Sequence, residues 1–321
     1  MADLAYLLVQ ILVCWLVLGL LASQLVSLCY HLFRKLCCFG RAGSRALVQL
    51  VYAALGPLVA SIGTVLIMHP EWAMMMVPPH CHQGNCLPHP PAIGYDNPAG
   101  SLVIVMVVVI FMMALATLYR GLRHAHHRLL ALRMLSSPRK AAIAGYAVVD
   151  SDIAVAWCAG LLRPRVYISS SLLAQVNDEE LAAILAHEYA HLSRRDNLRQ
   201  LLARWFTLGW TGRQRACFLA DFASSCEQAC DEIASKLPGG GTVLIHLLER
   251  LSLQPLSVSS PVRQSGFEYL NVAERLQVLR KKESEVISLS LAWIFLSGLW
   301  LLSMVLLTGV LHRLIEITTF S

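Results

Sequence analysis

The chain has 321 residues, of which 56% are apolar and only 14% are Asp, Glu, Lys or Arg, with a mean hydropathy of +0.58. Soluble domains carry roughly a quarter charged residues, so this composition excludes a disordered chain and argues against an ordinary soluble globule. The apolar excess is gathered in four blocks.

Residues 4–30, 46–68, 101–119 and 286–311 contain no Asp, Glu, Lys or Arg. Each reaches the roughly 18–20 residues that carry a helix across about 30 Å of hydrocarbon. Four such blocks with basic flanks predict transmembrane helices rather than core helices. Gly56-Pro57 would kink the second, which spans tolerate when neighbours re-satisfy the backbone. Only Asp3 stands before the first block, without the basic region or cleavage site of a signal peptide, so a retained span is expected.

The loops set an orientation. Arg34, Lys35, Arg41 and Arg45 lie between the first two blocks, whereas 69–100 holds Glu71 and Asp96 but no Lys or Arg. Arg120, Arg123, Arg128 and Arg133 follow the third block, and Arg280, Lys281 and Lys282 precede the fourth. The positive-inside rule then places 120–285 in the cytoplasm, with both termini and the 69–100 loop outside. The domains expected are 1–119, three spans; 120–285, a cytoplasmic domain; and 286–321, the fourth span with a short tail. Of the net charge of +6, region 120–285 carries +5, much of it juxtamembrane and suited to anionic lipid. No nucleic-acid-binding motif accompanies it, so the expected partner is the bilayer and not nucleic acid.

The ten cysteines are spread along the chain and form no secreted disulfide framework. Cys81 and Cys86 lie in the outward loop among His80, His82 and His89. A small disulfide-closed or irregular loop is the plain reading, and extracytoplasmic metal sensing the sharper one. Cys37-Cys38 read as membrane-edge cysteines, with lipidation as the alternative.

In the cytoplasmic region, 120–135 continues the third span as a basic helix, with His124, His126 and His127 on a solvated face. Ser137-Pro138 breaks it. Short strands are expected at 141–149, 153–158 and 165–168, making an α+β domain that is mostly helical with a small sheet. Asn177 and Glu180 predict a capping box at the start of a strong helix.

On that helix lies His187-Glu188-Tyr189-Ala190-His191. Histidines four residues apart project from one face and can share a Zn2+, and the adjacent Glu188 can take a proton from attacking water. A catalytic zinc needs a third protein ligand and an open position. Glu227, 36 residues after His191, is the candidate, with Asp231 one turn on to accept an imidazole N–H. The rival is a closed structural site in which Cys226 and Cys230 join the histidines.

The motifs resemble those of BlaR/MecR-type integral-membrane zinc peptidases. The resemblance rests on His187 to His191 followed by Leu192-Ser193-Arg194-Arg195-Asp196-Asn197, and on Glu227-Gln228-Ala229-Cys230-Asp231-Glu232. It extends to Gly160 through Ile168, to Ala273-Glu274-Arg275-Leu276, and to the arrangement of three spans before the domain and one after. It implies a gluzincin fold in the bacterial inner (cell) membrane, with His187, His191 and Glu227 as ligands and Glu188 as general base and later acid. The Phe-Asn-Pro common between the two metal helices in that family is absent. Only 312–321 follows the last block, so no β-lactam sensor domain is expected. HtpX-type quality-control proteases are the alternative, but they place two spans between the motifs. Here 198–222 carries Arg199, Arg204, Arg213 and Arg215, each costing about 2.5–3.5 kcal/mol at a helix centre. An amphipathic helix lying against the membrane is expected there instead.

The function expected is a zinc endopeptidase acting on cytoplasmic or membrane-proximal proteins, in signalling or as a self-cleaving transducer. Arg275, Tyr269 and His246 are candidate transition-state stabilisers, and 154–158 a strand for pairing with substrate. A non-catalytic receptor or scaffold with a structural zinc is the other class of function, and a homo-oligomer is compatible with either.

Overall fold

The computed structural model describes residues 2–36, 41–69, 72, 98–137, 145–252, 272–280 and 288–320. Cys37-Cys38, the segment 80–89 with Cys81 and Cys86, and Tyr269 lie outside the described residues. Four long helices correspond to the apolar blocks: α1 (Ala2–Leu36), α2 (Ala42–Met68), α3 (Pro98–Leu135) and, at the end of the chain, α10 (Ser288–Phe320). All four are long and apolar enough to cross a membrane. Pro57 sits inside α2, and α3 runs unbroken from its apolar half through the expected basic continuation.

Small residues let these helices approach closely. A Cβ placed on Gly56 of α2 would stand 2.6 Å from the Ser23 hydroxyl of α1, and one on Gly63 would stand 3.0 Å from Leu18. Lower in the bundle Phe33 stacks on Tyr52, with ring centroids 3.8 Å apart, and α10 adds Ala292, Leu296 and Leu299 to the same apolar cluster. Among the described residues of α3 most are exposed or half-buried, and Val107 packs in an apolar cluster with α1 and α2.

After α3 comes a four-stranded sheet: β1 (Ser136–Ser137), β2 (Ala147–Val149), β3 (Ala156–Ala159) and β4 (Arg165–Ser169). The order is β1-β2-β4-β3, with β2 and β4 parallel and the other pairs antiparallel, so β3 forms an edge. Of the strand expected at 141–149, residues 141–144 lie outside the described residues and 147–149 form β2; the one expected at 153–158 begins at Ala156. The Ser169 hydroxyl accepts the N–H of Val155, just before β3, and that of Leu172, capping α4 (Ser170–Gln175).

The second half is helical: α5 (Asp178–Arg194), α6 (Asp196–Phe206), α7 (Gly212–Ala234), α8 (Gly240–Ser252) and α9 (Val272–Arg280). The Asn177–Glu180 capping box is formed in both directions, at 2.9 and 3.0 Å. Arg195, at φ 54°, ends α5 in the left-handed region and turns the chain straight into α6. The stretch 198–222 departs from the single surface-lying helix expected of it. It is a hairpin, α6 and α7, whose inner side packs on α1 and α2. Trp210, Phe218 and Phe222 bury against Tyr30, Phe33 and Tyr52. The arginine count alone hid this, because those aromatic residues and Ala203 occupy the opposite side of the hairpin from the exposed Arg204 and Arg213.

Candidate metal centre

Four helices converge on the site. His187 and His191 project from α5, Glu227 and Asp231 from α7, Arg275 from α9, and Asp196 from the first residue of α6. The burial of α7 explains the approach of its acids: aromatic Phe218 and Phe222 dock its upper half, which carries Glu227 and Asp231 onto α5.

The candidate ligand atoms are tightly spaced. His187 Nε2 and His191 Nε2 are 3.2 Å apart, and the two Glu227 oxygens stand 3.5 Å from His187 Nε2 and 3.4 Å from His191 Nε2. Tetrahedral bonds of about 2.0–2.1 Å place neighbouring ligand atoms about 3.3–3.4 Å apart. The spacing therefore fits one zinc-sized cation, and these three residues form a group able to hold a metal.

The outer nitrogens are each held by a carboxylate. His187 Nδ1 lies 2.9 Å from Asp231 Oδ1, somewhat off the line of the ring N–H, and His191 Nδ1 lies 3.0 Å from Asp196 Oδ2. Such partners fix the tautomer and leave Nε2 free to ligate. Arg275 grips Asp231 through two bonds of 2.7 Å, and its third nitrogen reaches Glu227 at 3.5 Å. Arg194 in turn holds Asp196, with Nε 3.2 Å from Oδ2.

The charges are strongly coupled. Burial would lower the His187 imidazole, but Asp231 and Glu227 outweigh it and carry it up to about 9. His191 is likewise raised well above the ordinary histidine range, burial being overcome by Glu227 and Asp196. Burial opposes ionisation of Glu227 and Asp231, yet the histidines hold Glu227 well below the usual carboxylate range, and His187 with Arg275 lowers Asp231. Glu188 behaves differently: burial pushes its carboxyl up. It is 5% exposed and faces a cavity of about 80 Å³ that His187 and Arg275 also line.

The closed Cys2His2 arrangement does not form. Cys226 is buried in the aromatic cluster, and Cys230 points to Asp196 on the far side of His191, with Sγ to Oδ2 at 3.5 Å. Burial raises both thiols, Cys230 to about 11. A second group of possible ligands, His191, Asp196 and Cys230, uses that same far side, where Asp196 is already engaged by Arg194. Of the three stabiliser candidates, Arg275 is at the site but committed to the two acids. His246 is 73% exposed at its side chain, 3.9 Å from Glu249, and does not line the cavity.

Sequence reading missed Asp196 as a histidine partner. The signal was present, an acid five residues after His191, but its value depends on the left-handed turn at Arg195, which folds it back.

Residues 121–238 match the family model of peptidase family M48. That stretch contains the sheet, both histidines, Glu188, Glu227 and Asp231, and the match supports a metallopeptidase domain of the M48 zincin type. With four apolar helices of spanning length, it points to a membrane protein. No curated protein and no solved structure matches the chain.

Proposed function

We propose that the chain is a membrane-embedded zinc endopeptidase whose domain faces the cytoplasm and cleaves cytoplasmic or membrane-proximal proteins. The observation that carries this is the group His187, His191 and Glu227, spaced for one tetrahedral cation, beside a buried Glu188 that stands outside that group. The cytoplasmic orientation is supported by the basic residues flanking 120–285 and their absence from 69–100. The finer likeness to BlaR/MecR-type peptidases draws on the four-helix layout; the M48 match concerns the metal-bearing stretch itself.

His187, His191 and Glu227 would hold the zinc, which supplies Lewis-acid polarisation of water and of the scissile carbonyl. Asp231 and Asp196 keep the two imidazoles in the ligating tautomer, and Arg275 positions Asp231 and Glu227. Glu188, its carboxyl raised above the usual carboxylate range by burial, takes a proton from the attacking water and delivers it to the leaving amide nitrogen.

The edge strand binds the substrate backbone. Ser169 N–H donates to Val155 O, so the alternation along β3 turns the polar groups of Ala156 and Cys158 away from β4. Asn197 takes the Cys158 carbonyl at 3.0 Å, leaving the Ala156 N–H and C=O facing outwards. An extended chain can pair there, and the cavity beside it, lined by Leu172, Ile184, Leu247 and Leu248, accepts an apolar side chain next to the scissile bond.

The test is metal removal and return. Purified protein in detergent should lose cleavage of an unstructured protein such as casein on chelation and regain it with zinc, whereas Glu227→Ala should not regain it. Cleavage that survives exhaustive chelation would remove the basis for the proposal.

A further inference from the structure

The far side of His191 gathers more donor atoms than the clamping of a tautomer needs. A clamp requires one carboxylate on Nδ1, and Asp196 Oδ2 supplies it at 3.0 Å. The Cys230 thiol reaches the same oxygen from α7, with Sγ at 3.5 Å. One ligand atom from each of His191, Asp196 and Cys230 lies within 4.8 Å of the other two. Tetrahedral bonds to nitrogen, oxygen and sulfur set neighbouring ligand atoms about 3.4–3.6 Å apart, and both distances to Oδ2 are within about 0.5 Å of that.

The surroundings suit a cation there. Asp196 is 1% exposed, and its Oδ1 makes no hydrogen bond, with Arg199 Nη1 3.9 Å away. Arg194 Nε approaches Oδ2 at 3.2 Å, which leaves that oxygen a second lone pair. A carboxylate and a thiolate together cancel the charge of a divalent ion, in a place where burial makes net charge costly. A second thiol lies close by. On β3 the side chain of Trp157 stacks on Tyr167, so Cys158 shares the opposite face with Ala156, which packs on Ile184 of α5. The charges of Glu188, His191 and Asp196 all act on that thiol.

His191 cannot serve both sides at once. Neutral imidazole ligates through one nitrogen and carries its proton on the other. A cation on Nδ1 leaves the proton on Nε2, the atom that a zinc held by His187, His191 and Glu227 requires. That N–H would then face His187 Nε2 at 3.2 Å and Glu227 Oε1 at 3.4 Å, either of which can accept it.

We propose that His191, Asp196 and Cys230 form a second metal site for a thiophilic divalent cation softer than zinc, and that filling it empties the catalytic centre. Thiolate selects soft cations, whereas two imidazoles and a carboxylate suit zinc. Coordination releases the Cys230 proton to solvent, and His191 keeps one proton, on Nε2. The result is an inhibitory switch in which a soft cation draws His191 away from hydrolysis. The inhibition rests on the zinc reading of the first group; the second site itself does not.

Cadmium is the probe, added to the zinc-loaded full chain in detergent. Ultraviolet charge-transfer absorption reports cadmium–thiolate bonds, and elemental mass spectrometry after desalting reports the zinc that stays. Wild type should gain an absorption that Cys230→Ser and Cys230→Ala lack and that Cys226→Ser retains, and it should release its zinc in step. Before cadmium is added, both Cys230 variants should match wild type in zinc content and casein cleavage. Inhibition of either should then need several-fold more cadmium. Equal absorption in wild type and the Cys230 variants overturns the site. Zinc kept by wild type under saturating cadmium overturns the exclusion, whatever the variants do. Zinc lost equally from wild type and the variants means simple replacement in the first group, and overturns it as well. A wild type that cleaves no casein yet shows the Cys230-dependent absorption and zinc release counts against the peptidase reading instead.

Discussion

At the scale of single residues, the site works through pairs in which one side chain fixes another. Asp231 and Asp196 sit behind the two imidazoles, and each is itself held by an arginine, Arg275 or Arg194. Asp196→Asn and Asp231→Asn should each weaken zinc retention about 10–100-fold in a competition titration with a chelator, without unfolding the domain. An unchanged affinity would reduce both to bystanders. The raised histidines give a second expectation. The carboxylates carry His187 up to about 9 and His191 well above its ordinary range, and with the two Nε2 atoms 3.2 Å apart the metal-free pair holds a proton between them at pH 7. Ligation needs both imidazoles neutral, so zinc uptake should release at least one proton and tighten as pH rises above 7. Calorimetry in buffers of different ionisation enthalpy reads that number, and no proton release would contradict the charge state. The ligand pattern was legible in the sequence because helix periodicity fixes positions four residues apart. Asp196 was not, because its place depends on one left-handed residue.

At the scale of elements, the α6–α7 hairpin joins the helix of His187 and His191 to the long apolar helices. Trp210 is 6% exposed among Tyr30, Tyr52 and Phe218, with the nearest ring centroid at 5.1 Å. Trp210→Ala should cost about 3–5 kcal/mol, seen as a lower unfolding temperature in detergent. Gly209→Val should destabilise by about 1–3 kcal/mol, since even a Cβ would meet Ser23 at 2.9 Å. Near-native melting of both variants would mean that the hairpin is not docked as described. Sequence reading rejected a span here on the cost of its arginines and expected a surface helix. It had no means of seeing that Gly209 and the buried aromatic residues give the hairpin a docking side. At α5, by contrast, the cap and the apolar stripe were both local, and the helix is capped by the expected Asn177.

At the scale of the molecule, the metal-bearing domain and the long helices share one core. Val26, Tyr30 and Tyr52 of the apolar helices cluster with Phe218, Phe222 and Cys226 of the helix that carries Glu227, and Tyr30 and Arg34 bind Asp221 on the same helix at 2.6 and 2.7 Å. The four apolar blocks were legible from composition, since about 20 uncharged apolar residues suffice to define each. Their packing was not, because it depends on close contacts such as that of Gly56 with Ser23, between residues far apart in the chain. The central claim is that His187, His191 and Glu227 hold one zinc for hydrolysis and that Glu188 moves the proton. The most direct measurement is the zinc content and casein cleavage of wild type and Glu188→Gln, purified side by side in the same lipid. The account predicts about one zinc per chain in both, with cleavage in the variant lower by about 10²–10⁴-fold. Equal cleavage by the two proteins, or a wild type that cleaves while holding no metal, would contradict it.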